Sequence, residues 1–284
     1  MRDFEYLTPN TLNEVLNILD SKRDEVRVVA GGTSIVPMLK QRLLAADTLV
    51  SLQNVKDLKG IRFATDGLHL GATTTHREVE ISAQVKKEYP LIAESYSKVA
   101  TVKIRNSATV AGQLVQADPS QDGAPCHIAM NSRINIISKG SKRTVPVEEF
   151  FADYYQAKLE PNELVSEVVV PKQPANLKTV YLKFLPRTED DYATVSVAIA
   201  ATVEGGVCKH IRIGLGAVGN TPVRAAAVEK QLLGQKVTKA LIEKAAASVK
   251  DEISPLDDFH GSSAYKSDMA VVFVRRALEK VLEA

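Results

Sequence analysis

Tryptophan is absent from this 284-residue chain, cysteine occurs twice, and aromatic residues make up 5 % of it. Cys126 and Cys208 stand far apart and neither belongs to a CxxC pair. That excludes a disulfide framework and an all-cysteine iron–sulfur or zinc site within the chain. So few aromatics offer no base-stacking platform. No charge sign dominates either: 36 Lys and Arg stand against 34 Asp and Glu, a net charge of +2. Without a basic block the chain is a poor candidate for binding nucleic acid. No apolar run approaches the roughly 20 residues that cross a bilayer. The opening MRDFEYLTPN lacks the charged-then-apolar pattern of a secretory signal, so the expectation is a cytoplasmic protein with no membrane span. The five histidines fall at spacings that suit no metal site, and no Ser/His/Asp set stands out. No catalytic residue or metal ligand is nominated.

What is present is ordinary globular composition, 45 % hydrophobic and 25 % charged, with length for one large domain or two modest ones. Thr11 and Glu14 have capping-box spacing ahead of a helical repeat at Leu12, Val15, Leu16 and Leu19. A strand is predicted over Val26–Val29, then a Gly-Gly turn, then a helix over IVPMLKQRLL with Pro37 in its first turn. A second strand covers Thr48–Leu52, and Asp66-Gly67 marks a hairpin between 61–64 and 68–71. Thr75 caps a short helix over His76–Ile81, and Pro90 interrupts a helical pattern from Gln84 to Val99. The following segment, IRNSATVAGQLVQADPSQDGAP, is polar and has no clear period. Strands are predicted over 133–138, 144–146 and 164–170, and PKQPANLK reads as a linker. Beyond it come long strands over 180–185, 193–203 and 207–218, then helices over 225–233, 238–249 and 264–282. Strands followed by helices indicate an α+β arrangement.

Two loops carry chemistry. In VVAGGTS, a strand ends in consecutive glycines before a helix start. Backbone N–H groups can there converge on one point, positive φ is available, and the missing Cβ lets a phosphate approach. Thr33 and Ser34 add hydroxyl donors, but the loop is neither GxGxxG nor a P-loop, and a bare tight turn is the plainer reading. In SATVAGQLVQADPSQD, Thr109 and Gly112 sit in a small-residue turn, and Asp118 and Asp122 follow. A carboxylate there can accept hydrogen bonds from a sugar or flavin ring; alternatively the segment is a solvated loop with Asx turns around Pro119.

Taken together, the stretches AGGTS with PMLK, IRNSATVAGQL, ADPSQD, TVPVEEFF, NELVSEVVVP, DDYATVSVA, GNTPVRAAAVE and SAYKSDMAVVFVRRAL run in order along nearly the whole chain. In this order they resemble the FAD-binding medium subunit of the molybdenum hydroxylases, the family of carbon monoxide dehydrogenase and xanthine dehydrogenase. The resemblance implies a two-part FAD-binding domain of the vanillyl-alcohol-oxidase (PCMH) type over residues 1–175, with subdomains of about 1–55 and 56–175. A smaller C-terminal domain of antiparallel sheet and helices follows over 177–284. It implies cofactor contacts from Val29, Ala30, Gly31, Gly32, Thr33, Ser34, Ile35 and Val36 in the first loop, and from Thr109, Val110, Ala111, Gly112 and Gln113 in the second. Asp122 matches a family aspartate that contacts the cofactor, and Lys183 and Tyr192 fall where the second domain approaches the flavin. The family has Gly-Gly where this chain has Ala111-Gly112, and Asn or Asp where it has Gln113. The Ala111 methyl matters if that position needs positive φ and is harmless otherwise.

The implied activity is that of an oxidoreductase flavoprotein subunit. A molybdopterin-bearing large subunit oxidises the substrate, and iron–sulfur clusters in a small subunit carry electrons to FAD. The FAD then reduces NAD, oxygen or a quinone, and the heterotrimers are able to dimerise. Two other readings compete: a stand-alone FAD-dependent reductase, which needs catalytic Ser and Glu residues for which no signal is found, and a flavin-free assembly or scaffold protein.

Overall fold

The structure, a computed structural model, describes residues 3–185, 187–188 and 190–282. The outermost residues of the expected 1–175 and 177–284 spans lie outside the described residues.

The chain begins with a small parallel sheet. Strands β1 (Glu5–Leu7), β2 (Val26–Val29) and β3 (Thr48–Ser51) are ordered β1-β3-β2. Helix α1 (Leu12–Lys22) crosses between the first two; its N-cap Thr11 accepts the Glu14 amide at 3.2 Å. Helix α2 (Ile35–Lys40) crosses between β2 and β3. It is shorter than the ten-residue pattern predicts, because Arg42 takes a left-handed conformation (φ 61°) and the Leu43 amide folds back to the Met38 carbonyl.

A five-stranded antiparallel sheet follows. Its strands β4 (Ile61–Ala64), β5 (Gly67–Gly71), β6 (Arg133–Ser138), β7 (Ser141–Pro146) and β10 (Leu164–Pro171) are ordered β4-β5-β10-β6-β7. Between β5 and β6 the chain makes helices α3 (His76–Ile81), α4 (Ala83–Glu88), α5 (Pro90–Ser97), α6 (Val102–Arg105), α7 (Val110–Gln116) and α8 (Gly123–Ala129). Pro90 is a break, not a kink: it takes the first position of α5, where its missing N–H costs nothing. The segment without visible period is three helices of four to seven residues, too short for a 3.6-residue repeat to show. After β7 come α9 (Val147–Phe150) and a small hairpin of β8 (Phe151–Asp153) and β9 (Gln156–Ala157).

The last part is a four-stranded sheet of β11 (Lys178–Phe184), β12 (Val195–Glu204), β13 (Val207–Gly216) and β14 (Val223–Arg224), backed by α10 (Ala226–Leu232), α11 (Lys239–Ala247) and α12 (Ser263–Leu282). Strand β12 is buried on both faces, and its alternation divides two cores. Val195, Val197, Ile199 and Ala201 face the helices, whereas Ala198 and Ala200 join the core of the preceding part. The second face is built from small residues. A β-carbon on Gly214 would lie 2.1 Å from the Pro125 carbonyl oxygen, so α8 rests directly on β13. Glu148 then pairs with both Arg212 and Arg224 across this junction, and the Arg212 Nε–H donates to the Ile128 carbonyl at 3.0 Å.

Candidate functional site

A cavity of about 740 Å³ opens between the parallel sheet, the helices after β5 and the edge of the last sheet. The first glycine loop forms one wall. Strand β2 ends at Val29, Gly32 bends the chain at φ 74°, and α2 starts at Ile35. Among the described residues, the backbone N–H groups of Gly31, Gly32, Thr33, Ser34 and Ile35 have no acceptor, and neither do the Thr33 and Ser34 hydroxyls. All five residues line the cavity. A run of consecutive unpaired amides beside two hydroxyls is the donor set that holds an anion such as a diphosphate.

The second loop lies against the first. A β-carbon on Gly31 would sit 1.8 Å from the Ser107 carbonyl oxygen and 3.1 Å from the Ala108 Cα. Glycine is therefore required there by close approach of the two backbones, not by φ. The second loop is fixed from beneath as well: the His76 amide donates to the Ala108 carbonyl, the Val110 amide to Thr74 and the Ala111 amide to Ala72, at 2.9–3.2 Å. The Gly112 amide donates to the N-cap hydroxyl of Thr109. The first-turn amides of α7 are thus already bonded, and this loop meets the cavity with Thr109, Ala111, Gly112 and the Gln113 side chain. Ala111 has ordinary helical backbone, so its methyl needs no positive φ.

Of the residues nominated from sequence, Ala30, Gly31, Gly32, Thr33, Ser34, Ile35, Thr109, Ala111, Gly112, Gln113, Asp122, Lys183 and Tyr192 line the one cavity. Val29 ends β2 behind the wall, Val36 packs its Cγ2 beside Gly32, and Val110 is wholly buried; none of the three lines it. Asp122 is buried at the start of α8. It accepts the Tyr181 hydroxyl at 2.5 Å and the Lys183 ammonium at 3.0 Å, both from β11. Burial pushes its carboxyl up, and these two partners draw it back.

His76, at the start of α3, also reaches the cavity wall. Its Nε2–H donates to the Thr109 carbonyl at 3.1 Å, while Nδ1 has no partner among the described residues. Burial holds the ring neutral by lowering its pKa to about 4. Arg105 holds backbone rather than the cavity: it donates to the carbonyls of Val99 and Ala100 and pairs with Glu80. Both cysteines are buried, and burial pushes their thiols up. No group of three or more His, Cys, Asp or Glu side chains able to hold a metal occurs among the described residues, and no helix there is long and apolar enough to cross a membrane.

FAD fits what is present: unpaired amides for its diphosphate, and orphaned buried acceptors at His76 Nδ1 and Gln113 Oε1 on the same wall. An α+β chain with such a cavity under a second sheet is the architecture of a flavoprotein. Residues 2–173 match the family described as FAD binding domain in molybdopterin dehydrogenase, and residues 180–281 match the CO dehydrogenase flavoprotein C-terminal domain. The glyceraldehyde dehydrogenase medium chain of Sulfolobus acidocaldarius is 31 % identical over 279 residues, 98 % of each chain. The carbon monoxide dehydrogenase medium chain of Hydrogenophaga pseudoflava is 31 % identical over 275 residues, 97 % of this chain and 96 % of the other. A solved carbon monoxide dehydrogenase of the same organism, lacking the Mo-pyranopterin moiety, superposes with a TM-score of 0.96 at 33 % identity over 99 % and 98 % of the two chains. The chain belongs to the FAD-binding medium-subunit family of the molybdenum hydroxylases, the flavoprotein component of these oxidoreductases.

Proposed function

We propose that this chain holds FAD with its diphosphate on the Gly31–Ile35 amides and serves as the electron-output subunit of a cytoplasmic molybdenum hydroxylase. Its partners would be an iron–sulfur small subunit and a molybdopterin-bearing large subunit, in a heterotrimer or a pair of heterotrimers. The observation that carries this reading is the run of unpaired amides beside two free hydroxyls in a cavity closed by a second backbone at Gly31. When bound, FAD supplies electron exchange between the partner's clusters and an external acceptor, which is NAD, oxygen or a quinone. The protein supplies the rest. Thr33 and Ser34 donate hydroxyls beside the amides. His76, held neutral by burial, and Gln113 offer acceptors to hydroxyl or ring N–H groups. The Asp122–Lys183–Tyr181 cluster fixes a paired charge where the two domains meet. No general base or nucleophile is needed for electron transfer.

The test is co-expression with candidate iron–sulfur small and molybdopterin-binding large subunits of the source organism. The purified complex is expected to contain Mo, Fe and FAD, and its flavin absorbance to bleach on addition of the organic substrate. The chain alone is expected to bind FAD and to show no bleaching with that substrate. Substrate-driven reduction in the isolated chain would favour a self-contained reductase instead.

A further inference from the structure

Part of the cavity is walled by neither glycine loop. The turn that joins β9 to β10, with the first residues of β10, supplies Leu159, Glu160, Pro161, Glu163, Leu164 and Val165 to it. The sheet ladder alone does not set this stretch, because β10 slips register against β6 between Val165 and Glu167. A side chain from the edge strand holds it. Arg143 on β7 lies opposite Ile136, which lies opposite Val165, so the three share one row across β7, β6 and β10. From that row the guanidinium reaches Glu163, two residues before Val165. Its Nε–H donates to Oε1 at 2.7 Å and its Nη2–H to Oε2 at 2.6 Å, a two-pronged pair. Nη2 also donates to the Lys158 carbonyl at 2.8 Å.

The carboxylate closes the turn from its other side. Glu163 Oε2 accepts the Glu160 amide at 2.9 Å, while the Glu163 amide donates to the Glu160 carbonyl at 2.9 Å. One arginine therefore ties both ends of the 158–163 turn to the sheet. The Glu163 side chain is 13 % exposed, so water screens the pair little, and the bonds from Arg143 hold its carboxyl below the usual carboxylate range. The charge matters as well as the reach. A wall facing a diphosphate tolerates a carboxylate only when a cation neutralises it. Arg143 stands behind this wall and not in it, so its effect on a ligand passes through Glu163 and the turn.

We propose that Arg143 is a positioning residue for the cofactor: through Glu163 it holds the 158–165 wall in the shape that accepts FAD, and it cancels the charge that this wall would otherwise turn toward the diphosphate. The inference rests on the FAD reading above.

The experiment uses the full chain, comparing wild type with Arg143→Ala, Arg143→Lys, Glu163→Ala and the double variant Arg143→Ala/Glu163→Ala. The readouts are FAD affinity and the visible circular dichroism of the bound flavin. Arg143→Ala is expected to weaken FAD about ten-fold and to alter the flavin spectrum, as loss of a charge-assisted pair predicts. Arg143→Lys keeps the charge and loses the fork, so it is expected to fall between wild type and Arg143→Ala. In the Glu163→Ala background, Arg143→Ala is expected to change FAD affinity by less than about two-fold, because the arginine acts through that carboxylate. Wild-type affinity and spectrum in Arg143→Ala, even with a lowered melting temperature, would overturn the proposal, as would the full loss persisting without Glu163. If Arg143→Ala fails to fold, Arg143→Lys decides: weaker FAD binding supports the proposal, and unchanged binding overturns it. Trypsin reads the clamp without FAD, because the Lys158 carbonyl that Arg143 holds belongs to the Lys158–Leu159 bond. In the unloaded chain that bond is expected to be cut faster in Arg143→Ala than in wild type, and equal rates would refute the clamp. Failure of wild type to take up FAD, with the faster cleavage intact, would refute the FAD reading and leave the clamp standing.

Discussion

The two loops that meet at Gly31 reach the same cavity by different means. The first has little protein support: its amides and hydroxyls are unpaired, and it is shaped by one close contact and one positive φ. The second is fully supported: its amides are bonded to Thr74, Ala72 and the Thr109 hydroxyl, and His76 braces the Thr109 carbonyl. The first loop is thus built to bind and the second to hold the first in place. The difference explains why a glycine matters in one and an alanine is tolerated in the other.

Gly31→Ala should break the arrangement most completely. Its methyl would lie 1.8 Å from a backbone oxygen that cannot swing away, so the loops must part. Overpacking of this kind costs about 3 kcal/mol or more. Thermal melting should show that loss, and fluorescence titration should show FAD affinity lowered beyond measurement.

Acid should act on the second loop in preference to the first. In the folded protein burial holds His76 near pKa 4 and His127 near 3, against an ordinary 6.5. Both stay neutral when folded, while the unfolded chain binds protons below about 6.5. Their stabilisation is therefore complete above that pH and is lost as pH falls, levelling near 4 and 3. At 1.36 kcal/mol per unit, His76 accounts for about 3 kcal/mol. Urea melts from pH 7.5 to 4.5 should show the decline, and His76→Gln should reduce it by roughly half, His127 supplying the rest.

Gly32→Ala sharpens the comparison at intermediate cost. A side chain at φ 74° costs about 1–2 kcal/mol, and the new methyl would press on Val36 Cγ2 at 3.3 Å. FAD affinity should fall about ten-fold. Ala111→Gly is the smallest change. Restoring glycine inside a helix should cost about 0.5–1 kcal/mol in melting experiments and leave FAD affinity within about two-fold.

Much of the scaffold was legible because its signals are local. The Thr75 N-cap, the Asp66-Gly67 hairpin and the strand-to-glycine transition at Val29–Gly32 each fit within a few residues. The helices α6 to α8 were hidden by their brevity. The reason for Gly31 lies seventy-odd residues away at Ser107, and the reason for Gly214 lies at Pro125 in another domain. Asp118 was visible as a carboxylate in a turn, and its Asx turn to Ser120 is present, but its bond with the Tyr155 hydroxyl depends on tertiary contact alone. The resemblance nominated the second loop for the cofactor, but its first-turn amides are taken by Thr74 and Ala72, which are remote in sequence.

The central claim is that the first loop grips a diphosphate. It is tested most directly by titrating the flavin-free chain with FAD, FMN and riboflavin, and by displacing FAD with ADP. FAD should bind one-to-one and far more tightly than the two smaller flavins, with ADP competing and Gly32→Ala weakening FAD and ADP alike. Riboflavin or FMN binding as tightly as FAD, or ADP failing to displace it, would contradict the account.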